Sequence, residues 1–354
     1  MSHGKLRVAV LKGNGIGPEI TDATKTVLES TGIEFDWIDS LVAEEAIAAH
    51  GHPLPPETVR QLYEAKLCLK APLIVNKLEG RVTCTQPDGS QMTYPSLNNA
   101  VRRELGLFVN QRPIKGYAGV SGQYADLDIV IMREVTEDIY IGYEYPIGDD
   151  AAQAIKLITR SAATKVAKYA FEYAVKQGRK KVTCLHKANV LNYTDGLFLR
   201  CFMEVAKEYP QISSDDMMID AACYHIIRSP SKFDVIVAPN QYGDIFSDLA
   251  AGLVGSLGLA PGANIGDKAC TFEASHGAAP DIAGQGIANP LALILSGAEL
   301  LSTASYAKEA AAVRSAVDEV VRRRECLTPD LGGKATSTEL TAAVAKAVKD
   351  ILSR

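Results

Sequence analysis

The sequence predicts an α/β fold built on a substantially parallel sheet, and three observations carry that expectation. Apolar runs bounded by Gly, Pro and Asn alternate with longer helical patterns along the chain. The 354 residues are 47% apolar and 22% charged, enough to bury a sizeable core in two domains or in one large α/β domain. No internal repeat or low-complexity stretch interrupts the pattern, and the composition excludes disorder, collagen and a disulfide-stapled mini-fold.

Taken in order, residues 5–11 read as a buried strand and 18–31 as a helix that Pro18 starts and Gly32 stops. Further strands are expected at 34–38, 65–70, 107–110, 128–133, 181–185, 217–222 and 235–238. Helices are expected at 56–63, 98–105, 152–176, 195–208 and 289–301. The tail from 304 to 354 reads as two helices split by a loop at 327–336. Residues 74–94 contain Gly80, Pro87, Gly89 and many polar side chains, and read as a long loop or hairpin of the kind that is often functional.

Charge narrows the function. Lys plus Arg is 37 against 42 Asp plus Glu, a net charge of −5. That excludes a generally basic nucleic-acid binder and leaves room for a local basic pocket holding an acidic small molecule. The seven cysteines are scattered and form no C-x-x-C pair, which reads as reduced thiols rather than a disulfide framework or zinc site. No apolar run reaches the roughly 18–20 residues of a membrane span. The chain enters a strand by Leu6, so no leader segment is expected. A cytoplasmic protein is the expectation, with a processed mitochondrial matrix protein as the alternative.

Two glycine-rich loops stand out. Gly13-Asn14-Gly15-Ile16-Gly17-Pro18 follows the first strand, but its spacing is not G-x-G-x-x-G, so a standard Rossmann assignment is poor and a plain strand-to-helix turn suffices. The stretch 252–266 alone implies close packing and a tight connection. It gains interest from the loop that follows, Glu273-Ala-Ser-His276-Gly277-Ala-Ala-Pro280-Asp281-Ile282, a candidate nucleotide cradle before Asn289. A lone loop histidine is otherwise an ordinary surface residue.

The chemistry-bearing side chains fall near strand ends, where ligands of α/β sheets bind. Asp244 and Asp248 are four apart after the strand at 235–238. If Asp244 opens a helix, the two share a face, where like charges repel unless a divalent cation joins them. Spacing alone favours a capping Asp244 and a solvated Asp248, and the position beyond a strand's carboxyl end is what turns the reading toward a cation. Arg102, Arg112 and Arg133 lie near strand or helix ends, suited to bidentate grips on carboxylates. Tyr140 and Lys187 follow strands and are able to exchange protons. Whether these groups converge is not readable from spacing.

At these residues the chain resembles the β-decarboxylating dehydrogenases, the isocitrate, homoisocitrate and 3-isopropylmalate dehydrogenases. The resemblance covers nearly the whole chain, through residues 13–19, 96–113, 133–140, 187–189, 240–248, 261–266, 273–284 and 330–336. It implies a two-domain fold distinct from a Rossmann fold, with the active site in the interdomain cleft. The larger domain would be 1–107 plus 255–354, the smaller 108–254. A homodimer or larger homo-oligomer with shared active sites is implied, in which Lys187 and Asp220 enter the neighbour's site. By the same resemblance Ser96, Asn98, Arg102, Arg112, Arg133 and Asn189 would hold a tricarboxylate substrate. Asp220, Asp244 and Asp248 would hold Mg2+ or Mn2+, and Tyr140 and Lys187 would be catalytic. His276, Gly277, Asp281, Ile282 and Asn289 would contact the cofactor.

Ser96, Asn98 and Arg102 match the arrangement of isocitrate enzymes, because small hydrogen-bonding groups suit a third carboxylate and not an isopropyl group. Asp281-Ile282 stands where NADP-using relatives carry Lys-Tyr, so NAD is expected, as an Asp accepts from a ribose 2′-hydroxyl and repels a phosphate. The sequence departs from the family at the long 74–94 segment, at Val135 in place of a common Asn, and at Asn14 in place of an Asp. NAD-dependent isocitrate oxidation is the resulting expectation. Homoisocitrate and 3-isopropylmalate are the alternative substrates, and a regulatory subunit is the non-enzyme alternative.

Overall fold

A computed structural model describes residues 4–74, 81–85 and 89–354. The elements run β1 (Leu6–Leu11), α1 (Gly17–Glu29), β2 (Phe35–Asp39), α2 (Ala43–His50), α3 (Pro56–Ala65), β3 (Leu67–Lys70), β4 (Val82–Thr85), β5 (Gln91–Tyr94) and α4 (Leu97–Glu104). Next come β6 (Leu107–Lys115), β7 (Asp128–Glu134), β8 (Glu144–Ile147), β9 (Ala151–Ala154), α5 (Arg160–Gln177), β10 (Lys181–His186) and α6 (Thr194–Ala206). They are followed by β11 (Ser213–Met218), α7 (Ile219–Arg228), β12 (Val235–Ala238) and α8 (Asn240–Leu253). The chain ends with β13 (Pro261–Gly266), β14 (Cys270–Ala274), α9 (Leu291–Thr303), α10 (Ala307–Arg323) and α11 (Ser337–Leu352). Among the described residues no helix is long and apolar enough to cross a membrane.

The chain divides into two compact units. One comprises Met1–Gly106, Lys115–Asp126 and Val254–Arg354, the other Leu107–Ile114 and Leu127–Leu253. Residues 115–126, expected in the smaller domain, belong to the first unit. Tyr117 is buried in its core, Ser121 Oγ donates to the Val254 carbonyl, and Lys115 pairs with Asp318 at 2.5 Å.

In the first unit the strand order is β13-β14-β3-β1-β2, parallel except for the β13–β14 pair. The glycine-rich stretch read as a tight connection thus supplies β13. Helix α9 is apolar and buried through most of its length, and its Leu291, Leu293, Ile294, Leu300 and Leu301 are fully shielded. Helix α11 starts on a reciprocal capping box between Thr336 and Glu339. The first glycine loop lies against the histidine loop, with Ile16 N donating to the Ala278 carbonyl at 2.9 Å. Gly15 has φ +59°, and a Cβ there would stand 2.0 Å from that carbonyl oxygen, so only glycine fits. Of the segment at 74–94, β4 and β5 form an antiparallel hairpin pairing Val82 with Tyr94. Residues 75–80 and 86–88 lie outside the described ones.

In the second unit the order is β11-β10-β12-β7-β6, with parallel pairing from β11 to β7. Two expected elements change. Residues 217–222 were to be a strand, but β11 ends at Met218, opposite His186, and α7 follows. Ala222 and Ile226, four apart, are its buried stripe. The helix expected from residue 152 starts at Arg160, with Thr159 as its cap. Residues 151–154, helix-forming in composition, pair instead with β8 across Gly148 at φ +61°.

Candidate active site

In the second unit the β12–β7 register places Ala238 beside Arg133, and α8 begins two residues later. Gly243 makes this approach feasible, since a Cβ there would lie 2.7 Å from the Arg133 side chain. Arg133 is 2% exposed. Its Nε and one terminal nitrogen donate to Asn240 Oδ1 at 2.9 and 2.7 Å, and its other nitrogen reaches Asp244. Tyr140 donates to the other Asp244 oxygen at 2.7 Å, with the Arg133 guanidinium 5.0 Å from its ring centroid.

Arg112 completes this cluster. It donates to Asn110 Oδ1 and Ser247 Oγ at 2.5 Å each, and pairs with Asp244 and Asp248 at 3.2 Å each. Asp244 sits in the second turn of α8 rather than opening it, yet shares a face with Asp248 as the spacing required. Burial, with Asp244 alongside, pushes the Asp248 carboxyl above its ordinary value against the pull of both arginines. Two repelling hard-oxygen donors suit a divalent cation, so these residues fit half of an Mg2+ or Mn2+ site. Among the described residues no three His, Cys, Asp or Glu gather to hold a metal within one chain.

Lys187 and Asp220 follow β10 and β11, and their strand-end positions bring Lys187 Nζ to 2.8 Å from Asp220. That ammonium holds the Asp220 carboxyl below its ordinary value. Asn189 is exposed in the turn after β10.

In the first unit Ser96 caps α4, its Oγ accepting from Asn99 N at 3.2 Å. Asn98 Oδ1 is buried without a hydrogen-bond partner. Arg102 reaches Glu273 at 3.3 Å. Sequence reasoning missed the rest of this network, in which Glu273 also binds Lys70 and accepts from Asn264 at 2.7 Å. The available signal was a lysine and a glutamate at strand ends, and parallel β3–β14 pairing sets Lys70 opposite Glu273.

The histidine loop also belongs to the first unit. His276 Nδ1 lies 2.9 Å from the Gly277 carbonyl, and burial pushes the imidazole below its ordinary value, toward the neutral form. Its Nε2 and the neighbouring Ser275 Oγ are shielded yet without partners, which fits a polar ligand such as a dinucleotide. Asp281 is exposed and Ile282 partly so, and the Asp281 carbonyl accepts from Gln285. Asn289 holds Asp330 at 2.9 Å and caps Leu291 N at 3.0 Å.

Glu134, beside Arg133, shapes the turn toward Tyr140. Its carboxylate accepts from Thr136 N at 2.6 Å and Glu137 N at 3.0 Å. Burial raises it to about 7 from an ordinary 4.5, although those donors pull the other way. A raised carboxyl stabilises the fold fully only at low pH. That contribution, on the order of 3 kcal/mol, should fade as pH rises from about 5 through about 7. Thermal midpoints across that range should show the slope in the native chain and a flatter line in Glu134→Gln. Equal slopes would show that Glu134 is ionised throughout.

The chain matches the sequence profile of the isocitrate/isopropylmalate dehydrogenase family over residues 7–348. It belongs to this family. A 3-isopropylmalate dehydrogenase of Archaeoglobus fulgidus is 44% identical over 96% of this chain and 98% of its own. An NAD isocitrate dehydrogenase catalytic subunit, mitochondrial, of Arabidopsis thaliana is 40% identical over 96% of this chain and 87% of its own. The crystal structure of isocitrate dehydrogenase from Methylococcus capsulatus matches with a TM-score of 0.90 at 40% identity, covering 97% and 99% of the two chains. The α/β architecture is therefore that of the isocitrate/isopropylmalate dehydrogenase family, whose members are β-decarboxylating dehydrogenases using NAD or NADP with Mg2+ or Mn2+.

Proposed function

We propose that the chain catalyses metal-dependent oxidative decarboxylation of isocitrate to 2-oxoglutarate and carbon dioxide, with NAD as oxidant. The observation that carries this choice among family substrates is Asn98, whose buried side-chain oxygen has no partner. Turned so that its NH2 takes the buried position, the amide needs a hydrogen-bond acceptor on the substrate. A third carboxylate accepts from the amide NH2 and from the Ser96 hydroxyl. An isopropyl group leaves both polar groups desolvated, at about 1–3 kcal/mol each.

Arg102, Arg112 and Arg133 hold the substrate carboxylates as charge-assisted forks. Asp244 and Asp248, with Asp220 from a second copy of the chain, would hold the cation. When bound, the cation and the nicotinamide supply Lewis acidity at the C2 oxygen and a hydride acceptor for C2. Lys187 of that second copy would help remove the C2 hydroxyl proton. After carbon dioxide leaves C3, Tyr140 Oη returns a proton to that carbon, and Asp244 orients the phenol beforehand. His276 and Asn289 are assigned to the adenine side of NAD, with Gly277 and Ile282, and Asp281 to the ribose. The chain works as a homodimer or a larger homo-oligomer. In support, the second unit carries exposed apolar side chains on its hairpin and helices, among them Tyr143, Ile147, Tyr193 and Tyr224.

The test is NADH formation from isocitrate, homoisocitrate and 3-isopropylmalate, each with Mg2+, Mn2+ or EDTA, and with NADP+ in parallel. Isocitrate turnover with NAD+, abolished by EDTA, is expected. Preference for 3-isopropylmalate overturns the Asn98 argument, preference for homoisocitrate, which also carries a third carboxylate, overturns the choice of isocitrate, and preference for NADP+ overturns the Asp281 assignment. No turnover at all would make the chain a regulatory subunit.

A further inference from the structure

A buried charge cluster in the second unit lies beside the proposed catalytic groups. Lys156, in the segment between β9 and α5, is 13% exposed at its side chain. Its Nζ lies 2.8 Å from Asp195 and 3.5 Å from Asp138, both fully buried, and 4.3 Å from the Tyr242 ring centroid. Each neighbour is bound to an element that carries a proposed site residue. Asp138 lies two residues before Tyr140, and its carboxylate accepts from Ile139 N at 2.8 Å and from Gln241 N, on α8, at 2.9 Å. Asp195, in the first turn of α6, accepts from the Lys187 backbone N–H at 2.7 Å. Tyr242 stands on α8, two residues before Asp244, with its hydroxyl against Asp195.

The backbone around Lys156 is fastened to the same place. Asp138 N donates to the Leu157 carbonyl at 2.9 Å, and Thr159 N donates to Glu137 at 2.7 Å. Asp138 itself has φ +70° and ψ −153°, a conformation a non-glycine residue holds only when its surroundings enforce it. The pair with Asp195 is close but off the hydrogen-bond direction, so Lys156 acts here as a point charge between two carboxylates rather than as a directional donor.

We propose that Lys156 is a positioning residue for the dehydrogenase reaction: its ammonium, set between Asp138, Asp195 and the Tyr242 face, holds the Tyr140 turn, the Lys187 strand end and helix α8 in one geometry. The inference rests on the assignment of Tyr140 and Lys187 as the proton-transfer groups. Without the ammonium, two buried carboxylates repel across the gap and the turns that end in Tyr140 and Lys187 separate. The substrate forks Arg112 and Arg133 do not touch Lys156, so proton transfer suffers more than substrate binding.

The experiment compares the native chain with Lys156→Met, Lys156→Arg and the double variant Lys156→Met/Asp195→Asn, on whichever substrate of the panel turns over. In the double variant the repulsion that would oppose folding is removed and the amide still accepts the Lys187 N–H, but the cation that links Asp138 to the Asp195 position is still missing, so kcat should fall and the isotope effect rise there as well. Tyr140→Phe and Lys187→Met serve as controls. For Lys156→Met, kcat should fall on the order of 10–100-fold with KM within about threefold. The solvent deuterium isotope effect on kcat should rise, and Lys156→Arg should restore most of the rate. A merely structural lysine would lower the thermal midpoint and the active fraction, leaving the isotope effect unchanged. A folded Lys156→Met with native kcat and isotope effect overturns the proposal. Should that variant not fold, a double variant with native kcat and isotope effect overturns it equally. If Tyr140→Phe and Lys187→Met keep full activity, it is the assignment of the proton-transfer groups that falls.

Discussion

Replacing Arg133 with methionine is expected to lower kcat/KM on the order of 10²–10³-fold and to cost about 3–5 kcal/mol of stability. The two effects share a cause. Arg133 is a buried cation whose three donor nitrogens are committed to Asn240 and Asp244, while its guanidinium lies over the Tyr140 ring. Its removal leaves the Asn240 acceptor without either donor. Asp244 then depends on Arg112, at 3.2 Å, for compensation of a partly buried charge. Helix α8 and the Tyr140 turn lose their common anchor, and the carboxylate grip proposed for Arg133 would be lost with it. Arg133→Lys separates the contributions: it keeps the charge but cannot span Asn240 and Asp244 with a planar fork, so stability should recover further than activity. Chemical denaturation with steady-state kinetics reads both. Arg133→Met activity within about tenfold of native would remove Arg133 from the substrate grip.

Glu273→Gln is expected to be nearly as damaging, for the opposite reason. Glu273 is the buried carboxylate between Lys70 and Arg102, and Asn264 donates to the oxygen that Arg102 approaches. Burial pushes its carboxyl up, but Lys70 and then Arg102 more than offset that and hold it well below the usual range. A depressed carboxyl contributes stability that is present above the ordinary carboxylate range and fades only in stronger acid. The neutral amide leaves two buried cations facing each other, at about 3–5 kcal/mol, and removes that acid limb from the stability profile. Arg102, released from its anchor, should bind the substrate carboxylate less well, raising KM on the order of tenfold. An unchanged or lower KM would show that Glu273 competes with substrate for Arg102 instead of aiming it.

Much of this was legible residue by residue. The strand at 235–238 and the helix from Pro56 needed only an apolar run and a proline at a helix start. The shared face of Asp244 and Asp248 follows from helical geometry once any helix covers them. Family motifs carried the candidate site list, since types and spacings at residues 96–113, 133–140 and 273–284 are local strings. Elements failed where local preference lost to pairing. The alanine-rich residues 151–154 have helical composition but sit opposite β8, and the apolar residues after Met218 turned into a helix once β11 had used its register with β10.

The sequence by itself determined the alternation of strands and helices, the family, and the residue types able to grip carboxylates, hold a cation and move protons. Each of these depends on neighbours within a few positions or on strings that recur intact. Only the tertiary structure decided which charges meet. Lys70 reaches Glu273 across 203 residues, Arg112 reaches Asp248 across 136, and Tyr140 reaches Asp244 across 104. Strand order and register set those meetings, and electrostatics falls off with distance in space, not along the chain. A buried lysine such as Lys156 is silent in sequence for the same reason: its role is defined by the carboxylates the fold brings around it.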